Sequence, residues 1–422
     1  MVRTAAPKIN PRGMRCVTSQ RSRGVSVRPR HASPGESAYC PDSLIRRLRM
    51  KDSAGSCPAD RSLGAELVLA CGDLDAAVAF YVDTLGFRLD MTMPADAPTV
   101  AVISGHGISL RLQSATRDEG KPPMPELRLP VALRGSIATA DLPASAPGGL
   151  RIAWQQPKQA VAAPAESREF LLRRADSASA WVTGRAGMQY RDLIPGRVDG
   201  HVIASHIRIP EGGPVPDYVH FHEVGVQLIY CRRGWVRVVY EDQGAPFVLR
   251  PGDCVLQPPT IRHRVLESSA GLEVIEVGSP AQHETWRDHE LALPTPQVDG
   301  KRRFGGQRFV RHVASEALWQ SSAQGALRFA DTGIADATNG MASVRVLRLH
   351  GSPGKPAGMP MAAAPVHFLF VLSGRLELGP VAGETIELGS DDACVLPARW
   401  EGRLESSSAC EILEVALPAL AA

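Results

Sequence analysis

The last third of this 422-residue chain repeats its middle. The string LESSAGLEVIEVGSPA, from Leu266 to Ala281, returns as LESSSACEILEVALPA from Leu404 to Ala419. Cys254-Val255-Leu256 returns as Cys394-Val395-Leu396, and Arg233-Gly234 has its echo in Ser373-Gly374. Self-similarity at a spacing of about 140 residues means one domain present twice, so a fold read for one copy is required of the other. From Val202 the first copy runs as short stretches: HVIASHIRI, VGVQLIYCR, WVRVVYE, FVLR, DCVLQ, HRVLE and LEVIEVG. Turn residues separate them, as in Glu211-Gly212-Gly213, Asp242-Gln243-Gly244 and Pro251-Gly252-Asp253. Short alternating strands at this spacing predict a sandwich or a barrel.

Within the first copy lie PDYVHFHEVGVQLIYCRRG and RPGDCVLQPPTIRH. Side chains alternate along a strand, so His220 and His222 project to one face. Neutral imidazole is a common ligand for divalent transition metals, and converging imidazoles inside a barrel are costly without partners. The alternative is a metal-free barrel whose histidines line a polar pocket. The two segments resemble the two motifs of the cupin superfamily: a His-x-His with a downstream carboxylate and Gly, then a Gly, a Pro and a final His. His220, His222 and His263 match the three metal histidines of that pattern position for position. Gln227 stands where many cupins carry Glu. The resemblance implies one divalent transition metal on His220, His222, Gln227 and His263, with iron or manganese ahead of zinc or nickel. A neutral amide in the fourth place leaves more positive charge on the metal, which favours an anionic ligand or an oxygen species, or makes Gln227 a group behind the ligands. Tyr218, Arg262 and Trp286 are candidate pocket residues. His201, His206, His283 and His289 are read as ordinary.

Counting back from Gly374 as from Gly234, the His-x-His places become Pro360 and Ala362 in the second copy. The Gln227 place becomes His367, and the His263 place Glu401 or Gly402. The second barrel is therefore expected to be metal-free. The pair resembles a bicupin with its metal motif kept in the first cupin alone.

Upstream, Glu66 to Cys71 reads as a strand, and Asp73 as the cap of a helix with apolar Leu74, Ala77, Val78, Tyr81 and Leu85. Gly86 sits where a helix ends, Phe87 begins the next strand, and Thr99–Ser104 and Ile108–Leu112 follow across the Gly105-His106-Gly107 turn. This β-α-β-β-β order, with the string DLDAAVAFYVDTLGF, resembles one module of the vicinal-oxygen-chelate family, which includes glyoxalase I, bleomycin-resistance proteins and extradiol dioxygenases. That family often places a metal-binding His where Glu66 stands here, and Leu112-Gln113 offer no second ligand. The resemblance thus implies a structural or ligand-binding module without a metal. Residues 126–172, with ELRLPVAL and REFLLRR, read as a decayed second half.

The expected fold is mainly β: two cupin β-barrels (double-stranded β-helices) over 198–295 and 305–422, an α+β βαβββ module over 61–175, and a disordered leader over 1–60. The leader holds many arginines, from Arg3 to Arg49, almost no acids before Asp42, and no periodic apolar pattern, which is the composition of disorder. It is a basic tail, a transit peptide, or a segment without function ahead of a start at Met50. A net charge of +3 does not suggest nucleic-acid binding. No apolar run approaches the ~20 residues of a membrane span. None of the eight cysteines forms a CxxC pair, and a reduced, cytoplasmic protein is expected. The expected partner is a small molecule, with a homodimer implied by the cupin resemblance. The first functional reading is a dioxygenase-like metal-dependent enzyme acting on a small oxygenated organic compound, aromatic ones included. The second is a non-catalytic small-molecule-binding or sensor protein, and the third a sugar or keto-acid isomerase. Fold does not choose among them, and no dedicated acid or base is evident beside the histidines.

Overall fold

Asp73 sets where the first helix begins: its carboxylate accepts from the Ala76 amide at 2.9 Å, satisfying a first-turn N–H. The structure is a computed structural model that describes residues 64–115, 124–130, 144–147, 149–155, 166–176, 181–322, 327–351, 357–362, 364–381 and 383–418. The leader, with Met50, lies outside these residues. The helix Leu74–Ala79 continues as one wider π-helical turn, Phe80–Thr84, rather than as the regular helix expected to Leu85. Leu74 and Tyr81 still reach the module's core with Phe87 and Ile103, and Gly86, at φ 72°, closes the element.

The strands of this module are β1 (Glu66–Cys71), β2 (Arg88–Met93), β3 (Val100–Gly105), β4 (Ile108–Ser114), β5 (Glu126–Leu129) and β6 (Arg151–Trp154). They lie in the order β2-β3-β4-β1-β5-β6, with β1 parallel to β4. Three short strands follow: β7 (Leu171–Arg173), β8 (Val182–Thr183) and β9 (Gln189–Asp192).

The first barrel comprises β10 (Ile203–Ile209), β11 (Gly213–Pro214), β12 (His220–His222), β13 (Val226–Arg233), β14 (Val236–Tyr240), β15 (Phe247–Leu249), β16 (Cys254–Leu256), β17 (His263–Ser268), β18 (Leu272–Ser279) and β19 (Thr285–Arg287). A small hairpin, β20 (Arg303–Phe304) and β21 (Gln307–Arg308), leads to β22 (Val310–His312), β23 (Trp319–Ser321) and β24 (Leu327–Asp331). The second barrel comprises β25 (Ser343–His350), β26 (Ala357–Ala362), β27 (Val366–Ser373), β28 (Arg375–Val381), β29 (Glu384–Gly389), β30 (Ala393–Leu396), β31 (Glu401–Ser406) and β32 (Ala409–Leu417).

Each copy is built from two sheets. In the first, β15-β14-β17-β12-β19 forms one sheet and β16-β13-β18-β10-β9-β8 the other. In the second, β29-β28-β31-β26 and β30-β27-β32-β25-β24-β23 correspond to them. Period-two alternation divides each strand between two cores. One face of β13 and β18, with Leu228, Tyr230, Ile275 and Val277, packs against Phe368, Phe370, Leu413 and Val415 of the second copy. Each large side chain buried there contributes roughly 1.5–3 kcal/mol relative to exposure. The other faces form separate clusters, one around Ile207, Val238 and Val274, the other around Leu347, Leu369, Leu376, Trp400 and Leu404.

The stretch REFLLRR forms β7, which pairs with β30, in the second barrel's sheet. Reciprocally, β22 precedes the second barrel in sequence and pairs with β16 of the first. Strand β9 also extends the first barrel's sheet ahead of residue 198, as β24 extends the second. Each barrel's sheet therefore takes in strands that lie ahead of the string similarity. The short backbone ladder needs no sequence identity, which is why the repeat could not be seen there. The first module joins the first barrel through one further ladder, Thr285↔Thr92 and Trp286↔Met91. No helix among the described residues is long and apolar enough to cross a membrane.

Candidate metal centre

Strand β12 carries His220 and His222 on one face and Phe221 on the other, where Phe221 packs with Met91 and Trp286. His263 opens β17 and stands directly across the ladder from His220. The three rings lie 4.2 Å (His220 to His263), 5.2 Å (His220 to His222) and 5.2 Å (His222 to His263) apart between centroids. One ring nitrogen from each falls within 4.8 Å of the others, the one such cluster among the described residues. All three side chains are buried.

The hydrogen bonds behind the rings determine which nitrogens face inward. His220 Nδ1 donates to the Tyr218 carbonyl at 2.8 Å, and His263 Nδ1 to the Ile261 carbonyl at 3.0 Å. A carbonyl can only accept, so both rings carry a proton on Nδ1, and in the neutral imidazole Nε2 is then the lone pair. His222 Nδ1 lies 3.0 Å from Thr285 Oγ1, a partner that suits the same tautomer. Asp217 stands behind His220, its Oδ1 3.7 Å from Nδ1 and its Oδ2 accepting from the Val265 amide at 2.9 Å. This set of three neutral nitrogen donors with supporting oxygens fits a divalent transition metal.

Gln227, on β13, lines the same cavity. Its Nε2 donates to the Glu276 carboxylate, and its Oε1 is buried with no hydrogen-bond partner among the described residues. A carboxylate accepts only, so Glu276 decides which end of the amide is the nitrogen. The cavity is small, about 80 Å³, and mostly apolar, with Ile207, Ile229, Val238 and Leu249 among its walls. Tyr240 stacks on His263 at 5.4 Å, and its hydroxyl accepts from Gln257 Nε2 at 2.9 Å. Burial, outweighing that hydrogen bond, pushes the Tyr240 phenol far above its ordinary value, so it stays protonated.

The three weaker sequence candidates lie outside the cavity lining. Trp286 belongs to the apolar seam with Met91, and its Nε1 bonds Glu284. Arg262 pairs with Asp288 at 3.0 Å and covers the Phe221 ring. Burial alone would raise the Asp288 carboxyl, but the Leu291 amide and Arg262 bring it below its usual value. Tyr218 contacts the edge of His220 and holds Arg287 over its ring. Alternation explains the displacement of Trp286: it flanks Thr285 and so faces away from the metal side of the strand.

Of the histidines read as ordinary, His206 pairs with Glu273 and His289 with Asp90. His283 comes closer than expected, its ring 5.4 Å from His222. Burial, its largest influence, holds it below the usual imidazole value, and its Nδ1 bonds the Pro280 carbonyl. Sequence reasoning missed Glu276, Asp217 and Thr285. Glu276 had a signal: the aligned repeat places Glu414 in its position. In the second barrel Glu414 takes His367 at 3.0 Å and Arg345 at 2.5 Å, all within the barrel. There Glu401 begins β31 as His263 begins β17, but it pairs with Ala362 and is exposed. The ladder thus puts Ala362, rather than Pro360, in the place of His220.

In the first module, Glu66 lies 3.7 Å from Arg111, on the neighbouring strand, which gives this carboxylate a structural partner.

A family model described as Cupin domain matches residues 205–278. Residues 65–182 match that of the Glyoxalase/Bleomycin resistance protein/Dioxygenase superfamily. No curated protein matches the chain. Among solved structures, the Lactobacillus farciminis oxalate decarboxylase formate complex is similar at 11% identity and a TM-score of 0.44, over 59% of this chain and 86% of that one. Oxalate decarboxylase from Bacillus subtilis at pH 4.6 is similar at 12% identity and 0.43, over 59% and 76%. The E. coli protein Ylba is similar at 14% identity and 0.42, over 60% and 92%.

Proposed function

We propose that this chain, in which a cupin domain follows a module of the glyoxalase superfamily, is a metal-dependent enzyme acting on a small oxygenated organic compound, with dioxygenase-like oxidative cleavage as its reaction. The observation that carries this reading is the convergence of three buried imidazoles, two of them fixed as Nε2 donors by backbone carbonyls. His220, His222 and His263, with Gln227 Oε1 beside them, would hold a divalent iron or manganese ion, which would supply Lewis-acid and O₂ chemistry when bound. The chain's own residues do the rest. The apolar walls keep bulk water from the cavity, which strengthens every charge interaction inside it. Gln227, neutral and oriented by Glu276, itself adds no negative charge at the metal position, while the Glu276 carboxylate behind it also lines the cavity. Tyr240 and Gln257 provide a hydroxyl and an amide along the wall behind His263.

A non-catalytic binding role is favoured by one feature, the cavity volume of about 80 Å³, which leaves little space for two co-reactants. Oxygen uptake separates the two. Protein purified without air is expected to hold iron or manganese by elemental analysis and to consume O₂ when given catechol-like or diketone-like compounds. Tightly held zinc with no O₂ consumption overturns the oxygenase reading. For the site itself, His220→Ala is expected to lose stoichiometric metal, and full retention refutes the ligand assignment.

A further inference from the structure

The first module contributes to the cupin cavity. Strand β2 is hydrogen-bonded to β19, and β19 to β12, the strand of His220 and His222. Met91, fully buried, anchors this junction against Phe221 and Trp286. The chain leaves β2 through Met93 and Pro94, and the next residue, Ala95, lines the same cavity as the three histidines. Beyond it, Asp96 is held by Arg197 at 2.5 Å, and Arg197 in turn by Asp192 at 3.1 Å, both on the barrel side. The Asp96 carbonyl packs beside Gly184, where an added Cβ would lie 3.1 Å away. Ala95 is therefore fixed from both directions, by a strand ladder before it and an ion pair after it.

We propose that the glyoxalase-superfamily module acts as one wall of the cupin metal cavity, with Ala95 setting the size of ligand admitted. This rests on the reading of the three histidines as a metal site. Within the described residues the module has no His, Cys, Asp and Glu cluster of its own, and Glu66 faces Arg111. Its contribution to chemistry is then the shape it gives the neighbouring site. The cavity of about 80 Å³ corresponds to roughly half a dozen water-sized positions at ~10–15 Å³ each. That suits compact ligands with an oxygen-bearing metal-binding end and a short apolar body, and each carbon added at residue 95 removes space from the body.

The test uses the full chain loaded with cobalt(II), whose visible spectrum reports ligands on the metal, titrated with azide and with acetylacetone. Ala95→Phe is expected to take up cobalt as the native protein does, to bind azide within about 2-fold, and to bind acetylacetone at least 10-fold more weakly. Ala95→Val, a smaller change should the phenylalanine variant fail to fold, is expected to show the same selectivity at lower amplitude. Ala95→Gly is expected to shift it the other way. Normal cobalt uptake with unchanged selectivity in the Val and Gly variants overturns the proposal and leaves the metal reading standing. Native protein that takes up no cobalt overturns both.

Discussion

Thr285 shows how much of the candidate site depends on residues that carry no chemistry of their own. Its hydroxyl meets His222 Nδ1, while its backbone pairs with His222 on one side and with Thr92 of the first module on the other. Replacing it by valine keeps the volume and removes the oxygen. Thr285→Val is expected to weaken metal binding roughly 10–100-fold, the usual cost of losing an outer partner of a metal histidine, with little change in fold; competition with a chromophoric chelator measures it. The three histidines were legible in the sequence because their spacing on alternating strands is strict. Thr285 and Asp217 were not, since a Thr or an Asp acquires its role only from what a distant strand brings opposite it. Glu276 was half-legible: the repeat marked the position, but nothing local distinguished an inward Glu276 from the nearby Glu273, which faces His206.

Elements were easier to read than their ends. The turn after β13 and its counterpart after β27 place Gly234 and Gly374 at φ 74° and 84°, a conformation that an L side chain adopts only with strain. At Gly374 a Cβ would also collide with the Ala409 carbonyl oxygen. Gly374→Ala is expected to destabilise the protein by about 1–3 kcal/mol, seen as a lower denaturant midpoint, with metal content per folded molecule unchanged. The wider turn at Phe80–Thr84 could not be foreseen, because apolar spacing at Leu74, Ala77 and Val78 suits a regular helix equally well. The sheet that receives REFLLRR was hidden for a similar reason: alternation identifies a strand but not the sheet it joins.

At the scale of the whole molecule, acid is expected to act first on carboxylates held low by partners. Burial would raise the Glu414 carboxyl, but its hydrogen bond and attraction to His367, with Arg345, bring it below the ordinary value. Glu273 is likewise lowered, chiefly by its hydrogen bond to His206. A depressed folded value contributes stability that is complete above the unfolded value, about 4.3 for Glu, and is lost as pH falls through the folded one. The denaturant midpoint is therefore expected to be level with respect to these two groups from pH 7 to about 5 and to fall below about 4.3. Glu414→Gln, already weaker at neutral pH, is expected to lose less across that range.

Strands β7 and β22 bear on what such a chain is free to change. Each barrel's sheet is completed at one edge by a strand that lies ahead of the other barrel in sequence, so neither sheet is whole without the neighbouring part of the chain. What the second copy gives is an edge, Ala393–Val395 for β7, and an apolar face. The second barrel is tied to the first through backbone pairing and an apolar face, so its place in the fold does not depend on carrying the three histidines of the first.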